Sequence, residues 1–227
     1  MNGSGVAPRA GARAEAKGLP PARVGVLALQ GDFERHAAAL EALGVDVVRV
    51  ALPRDLDGLA ALVMPGGEST TMLRLMGANG LRAPLERFVR ERPCLGTCAG
   101  VILLCAEADG LPAATLGALD VSVERNAYGR QIDSFSAPIE SPVVGGSFPG
   151  VFIRAPRIRR VAESVDVIAR RAGEPVGVRS GRVVGLCFHP ELTSDLRFHR
   201  WFLTEVAGIA LPDALEAAAV RTREEAA

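Results

Sequence analysis

The apolar segments in the first half of the chain place the strongest constraint on its fold. Short and almost continuously apolar runs occur at residues 24–29, 45–50, 59–64 and 93–97, with helix-like segments between them. Strands that are apolar on both faces need cover on both sides, which is typical of a parallel sheet between helices. The sequence therefore predicts an α/β fold of three layers, α/β/α, around an open mixed, largely parallel sheet.

Helical periodicity is weaker than the strand signal but recurs three times. Helices are predicted at residues 32–43, 84–91 and 194–207, with Asp32 as the N-cap of the first. From residue 116 onward the pattern changes to short strands, predicted at 121–123, 150–153, 176–179 and 183–188.

A Gly-x-Cys-x-Gly corner centred on Cys98 separates the fourth apolar strand from a strongly apolar helix. Glycine on both sides of a cysteine is typical of a tight strand-to-helix turn that presents a nucleophile, because a Cβ would clash there. The start of a helix also favours a thiolate over a thiol. The sequence thus predicts a nucleophile at Cys98, with a buried packing cysteine as the alternative.

A second polar pair follows the last predicted strand, where the chain reads His189-Pro190-Glu191. Pro190 favours an extended backbone at His189, so the imidazole and the Glu191 carboxylate are expected to point the same way. The carboxylate can then accept the Nδ1–H bond, which turns Nε2 toward a thiol. An ordinary surface hydrogen bond between the two side chains is the alternative.

Residues 65–70 (PGGEST) follow another predicted parallel strand, so they are expected at the same edge of the sheet as Cys98. Two glycines let a backbone N–H approach a ligand closely. The amides of Gly67 and Ala99 are predicted to form an oxyanion hole. The alternative is a glycine-rich turn that precedes a capped helix. The lysine of a phosphate-binding loop is missing.

Composition argues against several classes of function. The 26 Lys and Arg residues balance the 26 Asp and Glu residues, and aromatic residues make up 4%, so nucleic acid and anionic membranes are disfavoured as partners. No apolar run reaches roughly 18 residues. Four cysteines form neither a disulfide framework nor a zinc set, so no metal or cofactor is expected and a cytoplasmic location is predicted.

Three of those cysteines are interpreted as core residues: Cys94, Cys187 and Cys105, the last on the helix that follows Cys98. The chain is predicted to form one domain over residues 23–211. Residues 1–22, rich in Gly, Ala, Pro and Arg, are expected to be a disordered extension without the apolar core of a signal peptide. Residues 212–227 are expected to form a polar, alanine-rich tail.

Taken together, the cysteine corner and the distant His-Pro-Glu resemble those of the class I, triad-type glutamine amidotransferases. Within that class, five blocks resemble the glutaminase subunits of pyridoxal 5'-phosphate synthases. They occur in the order expected for that family at residues 27–33, 65–70, 124–135, 151–156 and 188–193.

This resemblance implies hydrolysis of L-glutamine to L-glutamate and ammonia, and transfer of the ammonia to a separate synthase subunit that builds the vitamin B6 cofactor. It implies that Cys98 is the nucleophile, His189 the general base and acid, and Glu191 the orienting carboxylate. It also implies that binding of the partner completes the oxyanion site.

The resemblance further implies a set of substrate-binding residues, whose two arginines would otherwise be interpreted only as solvated cations. The set comprises Gly66, Gly67, Glu68, Arg125, Ile153 and Arg154.

Two histidines stay outside these motifs. His36 lies on the first predicted helix and is interpreted as an exposed residue, or as a residue of the partner surface by resemblance. His199 lies in the last predicted helix and is interpreted as a packing or surface residue.

Two rival functions also stay open: a glutaminase of another amidotransferase pathway, and a related α/β thiol hydrolase or redox protein.

Overall fold

The computed structural model describes residues 22–125, 127 and 134–212. The predicted extension at 1–22 and the predicted tail at 212–227 lie outside the described residues, apart from Ala22 and Pro212. Within the described part of the chain, no helix is long and apolar enough to cross a membrane.

The described residues form twelve strands and five α-helices. The strands are β1 (Arg23–Leu27), β2 (Asp46–Val50), β3 (Ala61–Met64), β4 (Cys94–Thr97), β5 (Cys105–Ala108), β6 (Leu119–Glu124), β7 (Ser134–Ser141), β8 (Gly146–Ile153), β9 (Arg157–Val161), β10 (Asp166–Arg171), β11 (Glu174–Ser180) and β12 (Val183–Leu186). The helices are α1 (Phe33–Glu41), α2 (Ser69–Ala78), α3 (Arg82–Glu91), α4 (Ala99–Leu104) and α5 (Arg197–Trp201).

Nine of the strands form one mixed sheet in the order β2-β1-β3-β4-β12-β11-β10-β7-β8. The first five are parallel to one another, and the remaining four continue the sheet with antiparallel pairings. Every residue of β3, β4 and β12 is buried, as expected for strands covered on both faces. A smaller sheet contains β5, β6 and β9.

The helices fall into two groups. Helix α1 packs against β1, β2 and the turn at Pro190–Leu192, and it meets α5 through a buried pair of histidines. Helix α2 contacts both α3 and α4, and α4 packs on β3, β4 and β12. The predicted three-layer α/β fold is confirmed, with the parallel strands confined to one half of the sheet.

Two predicted helices differ from the structure. The helix after Cys98 ends at Leu104, and Cys105 begins β5, although its thiol is buried as predicted. The last helix covers five residues in α5 and continues as a π-helical segment at Phe202–Val206. Asp195 delays the start of α5, because its carboxylate binds the backbone N–H and the guanidinium of Arg197.

Candidate active site

Cys98 lies on a strained turn between β4 and α4. Its backbone has φ 50° and ψ −106°, a region that residues other than glycine rarely occupy. The turn is anchored because the N–H of Cys98 donates to the carbonyl of Leu186 at the end of β12 (2.8 Å). The thiol is 3.8 Å from the carbonyl oxygen of Ile153 in β8. This geometry is the tight strand-to-helix turn that the sequence predicted, and the role of Cys98 as a nucleophile stays a prediction.

The glycines that flank the elbow are required by close packing. A Cβ at Gly100 would lie 2.1 Å from the carbonyl oxygen of Met64, so α4 approaches β3 too closely for a side chain. A Cβ at Gly96 would lie 2.6 Å from the backbone carbon of Gly100. These contacts fix the start of α4 against the sheet and hold Cys98 at the sheet edge.

His189 and Glu191 form the predicted pair, although not on an extended backbone. Pro190–Leu192 is a turn of 3-10 helix, so the expected strand-like alternation is wrong. The turn nevertheless brings the two side chains together, and His189 Nδ1 donates to Glu191 Oε1 at 2.6 Å. Proline at the first position of the turn explains the difference, because its fixed φ suits a helical turn as well as a strand.

The surroundings of His189 hold it in place. The backbone N–H of His189 donates to the carbonyl of Val151 in β8 (2.8 Å). Ile153, at the end of the same strand, contacts the Cys98 thiol through its carbonyl oxygen. The neighbouring Phe188 is fully buried and packs edge-on against Phe198, with the ring centroids 5.2 Å apart. The position of the imidazole is therefore fixed by the aromatic core and by β8.

Electrostatics favour a charged imidazolium beside a charged carboxylate. Burial alone would lower the pKa of His189, but its contacts with the Cys98 thiol and with Glu191 outweigh burial and raise this pKa to about 10. Burial would raise the pKa of Glu191, but His36 and His189 hold it well below its usual range. His189 Nε2 is buried and has no aligned hydrogen-bond partner among the described residues.

The glycine loop, residues 65–70, lies against Cys98 and His189. A Cβ at Gly66 would be 2.3 Å from Cε1 of His189 and 3.3 Å from Cβ of Cys98. At Gly67, where φ is +157°, a Cβ would meet Oε1 of Gln30 at 2.6 Å. Gln30 Oε1 also accepts the N–H of Glu68 (2.5 Å), so this side chain from the β1–α1 connection braces the loop.

Glu68 and Arg125 hold the loop from its other side. Glu68 caps α2, because its Oε2 accepts the N–H of Thr71 (3.0 Å). Burial would raise the pKa of Glu68, but hydrogen bonds from Thr71 and Thr70 and the charge of Arg125 lower it. Arg125 Nη2 lies 3.1 Å from Thr70 Oγ1 and 3.4 Å from Glu68 Oε1, so the interpretation of Arg125 as a solvated cation is wrong.

A cleft of about 350 Å³ joins these parts. That volume is in the range of small-molecule sites. Glu191 lies behind His189 and does not line the cleft, whereas nine predicted site residues do: Gly66, Gly67, Glu68, Cys98, Ala99, Arg125, Ile153, Arg154 and His189. A second cleft of about 410 Å³ between Pro53 and α3 is lined by no cysteine, serine or histidine.

Gly66→Ala tests how closely the glycine loop packs on Cys98 and His189. We expect turnover to fall by on the order of 100-fold, because the new methyl must displace the imidazole or the Cys98 turn, and small misplacements of reacting groups cost about this much. Gly77→Ala in α2 is the matched control, since a Cβ there meets nothing within 4 Å. Steady-state glutamate release, the activity that the sequence resemblance implies, measures the effect in the two variants, and equal rates would contradict the packing argument.

Several residues around the cleft were not predicted from the sequence. Gln30, Gly31, Asp32, Ser69 and Ile102 also line it. Gln30 could have been found, because it follows β1 at the same sheet edge as the other loops. His36 and His199 are both wholly buried, so the interpretation of His36 as exposed is wrong. Nothing in their spacing indicates that these two histidines meet.

Comparisons with known proteins identify the family of this chain. The family model of the SNO glutamine amidotransferases matches residues 26–208. A Thermus thermophilus protein named pyridoxal 5'-phosphate synthase subunit PdxT is 51% identical over 189 residues, which are 82% of this chain and 98% of the relative. The protein of that name from Koribacter versatilis is 50% identical over 184 residues, covering 81% of this chain and 95% of the relative.

Solved structures give the same result. A crystal structure described as a glutamine amidotransferase is similar with a TM-score of 0.77 at 49% identity, covering 82% of this chain and 99% of that chain. The structure of PurLQS from Thermotoga maritima shares the fold alone, with a TM-score of 0.63 at 18% identity and coverage of 82% of this chain and 99% of that chain.

The fold is therefore that of the class I glutamine amidotransferases. Family membership is narrower than this class: the chain belongs to the SNO glutamine amidotransferase family. This membership decides against the thiol redox protein considered from the sequence.

Proposed function

We propose that this chain is the glutaminase subunit of a pyridoxal 5'-phosphate synthase, which hydrolyses L-glutamine to L-glutamate and ammonia and delivers the ammonia to the synthase subunit. The relatives from T. thermophilus and K. versatilis carry the name of that enzyme, and at least 95% of each is matched. The observation that carries the proposal is the cleft that Cys98 and His189 share, with Glu191 bonded behind the imidazole.

Cys98 is the proposed nucleophile. Its thiolate attacks the side-chain amide carbon of glutamine, and the oxyanion accepts hydrogen bonds from the N–H groups of Gly67 and Ala99. Ala99 is the first residue of α4, so its N–H has no partner within the helix. Each such donor typically contributes about 3 kcal/mol to stabilising the transition state.

His189 is the proposed acid and base. It protonates the departing ammonia, which leaves a thioester at Cys98, and then takes a proton from the water that releases glutamate. Glu191 keeps Nδ1 protonated and Nε2 directed to the thiol, because its ionised carboxylate can only accept a hydrogen bond.

The two arginines are proposed to have different tasks. Arg125 is engaged by Thr70 and Glu68, so it holds the loop at the mouth of the cleft. Arg154 is exposed at the cleft and makes no hydrogen bond or ion pair within the residues that the structure describes. Among the described residues that line the cleft, its guanidinium is therefore an unpaired cation that can bind the α-carboxylate of glutamine.

The cleft also gives a physical reason for a partner. Ammonia released at an open cleft would escape into solvent, so productive use requires a docked synthase subunit that receives it. A cytoplasmic location is part of the proposal, since the four free thiols of the chain stay reduced there.

The test is co-purification with the synthase subunit of the same organism, followed by assays of glutamate release and cofactor formation. We expect both products to depend on glutamine, and ammonium chloride to replace glutamine for cofactor formation. Glutamate release without association would indicate another amidotransferase pathway. Absence of glutamate release in the presence of the synthase would contradict the glutaminase assignment.

A further inference from the structure

All three histidines of the chain lie in one connected group of contacts. His36 comes from α1, His189 from the turn after β12, and His199 from α5. His36 Nδ1 lies 3.0 Å from His199 Nε2, and His36 Nε2 lies 3.2 Å from Glu191 Oε2. The side chains of His36 and Glu191 are both fully buried. Burying polar groups of this kind raises the free energy of the folded state unless they form hydrogen bonds or ion pairs with one another.

The group closes into a ring through the nucleophile. His36 Nε2 also lies 3.0 Å from Oγ1 of Thr97, the residue directly before Cys98. The path from Cys98 therefore runs through His189, Glu191 and His36 to Thr97 and back along the chain. His36 is the residue in the ring that touches both the carboxylate and the strand that carries the thiol.

The second oxygen of Glu191 needs such a neighbour. Its Oε1 accepts from His189, whereas Oε2 is buried without an aligned hydrogen bond from any described residue. Once His189 has given its proton away, the carboxylate loses its cationic neighbour. The N–H of His36 Nε2, shared with Thr97, is then the dipole that keeps the carboxylate charged and oriented.

We propose that His36 is a positioning residue of the catalytic site. Through its Nε2 atom it fixes the position of the Glu191 carboxylate relative to the turn that carries Cys98. This inference rests on the proposed glutaminase function. His199 sets the ring of His36 from behind. Burial and the neighbouring His36 lower the pKa of His199 to about 3, so it is neutral there.

Two amide substitutions separate positioning from packing. In His36→Gln the amide nitrogen replaces Nε2 and can still donate to Glu191 and Thr97. In His36→Asn the shorter amide replaces Nδ1, which faces His199, and removes the nitrogen that lies 3.2 Å from Glu191 Oε2. Leu40→Ala, at a buried position on the same helix, is the control for lost packing.

We expect His36→Asn to lower kcat for glutamate release by on the order of 10-fold to 100-fold, the usual cost of losing the outer partner of a catalytic side chain. KM for glutamine should stay within about two-fold, because His36 does not line the cleft. His36→Gln should retain kcat within about five-fold, and Leu40→Ala should retain it while lowering the unfolding midpoint. These assays use the chain together with the synthase subunit.

The pH dependence of Cys98 alkylation by iodoacetamide gives a second readout, measured on the full chain alone. We expect its midpoint to rise by about one pH unit in His36→Asn and to stay near the parent value in His36→Gln. The groups that face Cys98 and His36 are His189, Glu191, Thr97, His199 and the buried thiol of Cys187. Equal kcat and equal midpoints for the two amide variants would overturn the proposal.

The two proposals fail in different ways. If the parent protein released no glutamate in the presence of the synthase, the proposed function would be wrong. The alkylation midpoints would still decide whether His36 positions the pair formed by Cys98 and His189.

Discussion

Cys98→Ala is expected to lower glutamine turnover by at least about 1000-fold, because no other group in the cleft can form the thioester. Alanine adds no atoms to the turn at φ 50°, so the fold and association with the synthase subunit should be retained. Glutamate release in the assembled complex measures the loss. Turnover within about ten-fold of the parent would remove Cys98 from the mechanism.

Cys94→Ala is the matched control. Cys94 lies in β4 four residues before Cys98 and is fully buried, and burial raises the pKa of its thiol well above the usual range. A protonated thiol in the core cannot act as a nucleophile. This variant should keep the parent rate, and the Cys98→Ala complex supplied with ammonium chloride should still form the cofactor.

His189→Asn is expected to reduce turnover by about 100-fold to 10,000-fold, the usual contribution of a positioned general acid and base. The variant loses both the proton donor to the departing ammonia and the imidazolium that faces the thiol. Single-turnover measurements with the synthase present should show slow formation of the thioester as well as slow hydrolysis. A rate within a few-fold of the parent would assign proton transfer to another group.

The same variant has a pH signature in stability. The pKa of His189 is raised from 6.5 to about 10 in the folded protein, so its contact with Cys98 and its ion pair with Glu191 stabilise the fold fully below pH 6.5. This stabilisation is lost as the pH rises through about 10. The difference in free energy of unfolding between the parent and His189→Asn should therefore shrink across that window by on the order of a few kcal/mol. Urea unfolding at several pH values measures it, and a constant difference would contradict the ion pair.

Local patterns were sufficient for the motifs that depend on neighbouring residues. The glycines around Cys98 predicted a tight turn, and the packing of Gly96 and Gly100 explains why only glycine is accommodated there. Parallel apolar strands predicted that the loops after β3 and β4 share an edge, and the register of β3 with β4 confirms this. Burial of Cys94, Cys105 and Cys187 was predicted from their apolar context.

The pairing of His189 with Glu191 was predicted from the sequence, but the local geometry is a 3-10 turn and not a strand.

Contacts between segments that are distant in the sequence could not be predicted from such local patterns. The role of Gln30 as a brace for the glycine loop depends on a contact across 38 residues. His36 and His199 are 163 residues apart in the sequence. Taken separately, the position of each histidine in its helix does not distinguish it from an ordinary helical side chain.

The amino-acid sequence alone was enough to predict the α/β class, the tight turn at Cys98 and the kinds of side chain at the candidate site. Each of these depends on short-range steric effects or on the periodicity of apolar residues within one helix or strand. Which polar groups meet in the interior became clear only from the folded chain. The free energy of a buried carboxylate or imidazole depends on partners that arrive from other elements, and that proximity is set by how α1, α5 and the turn after β12 pack together.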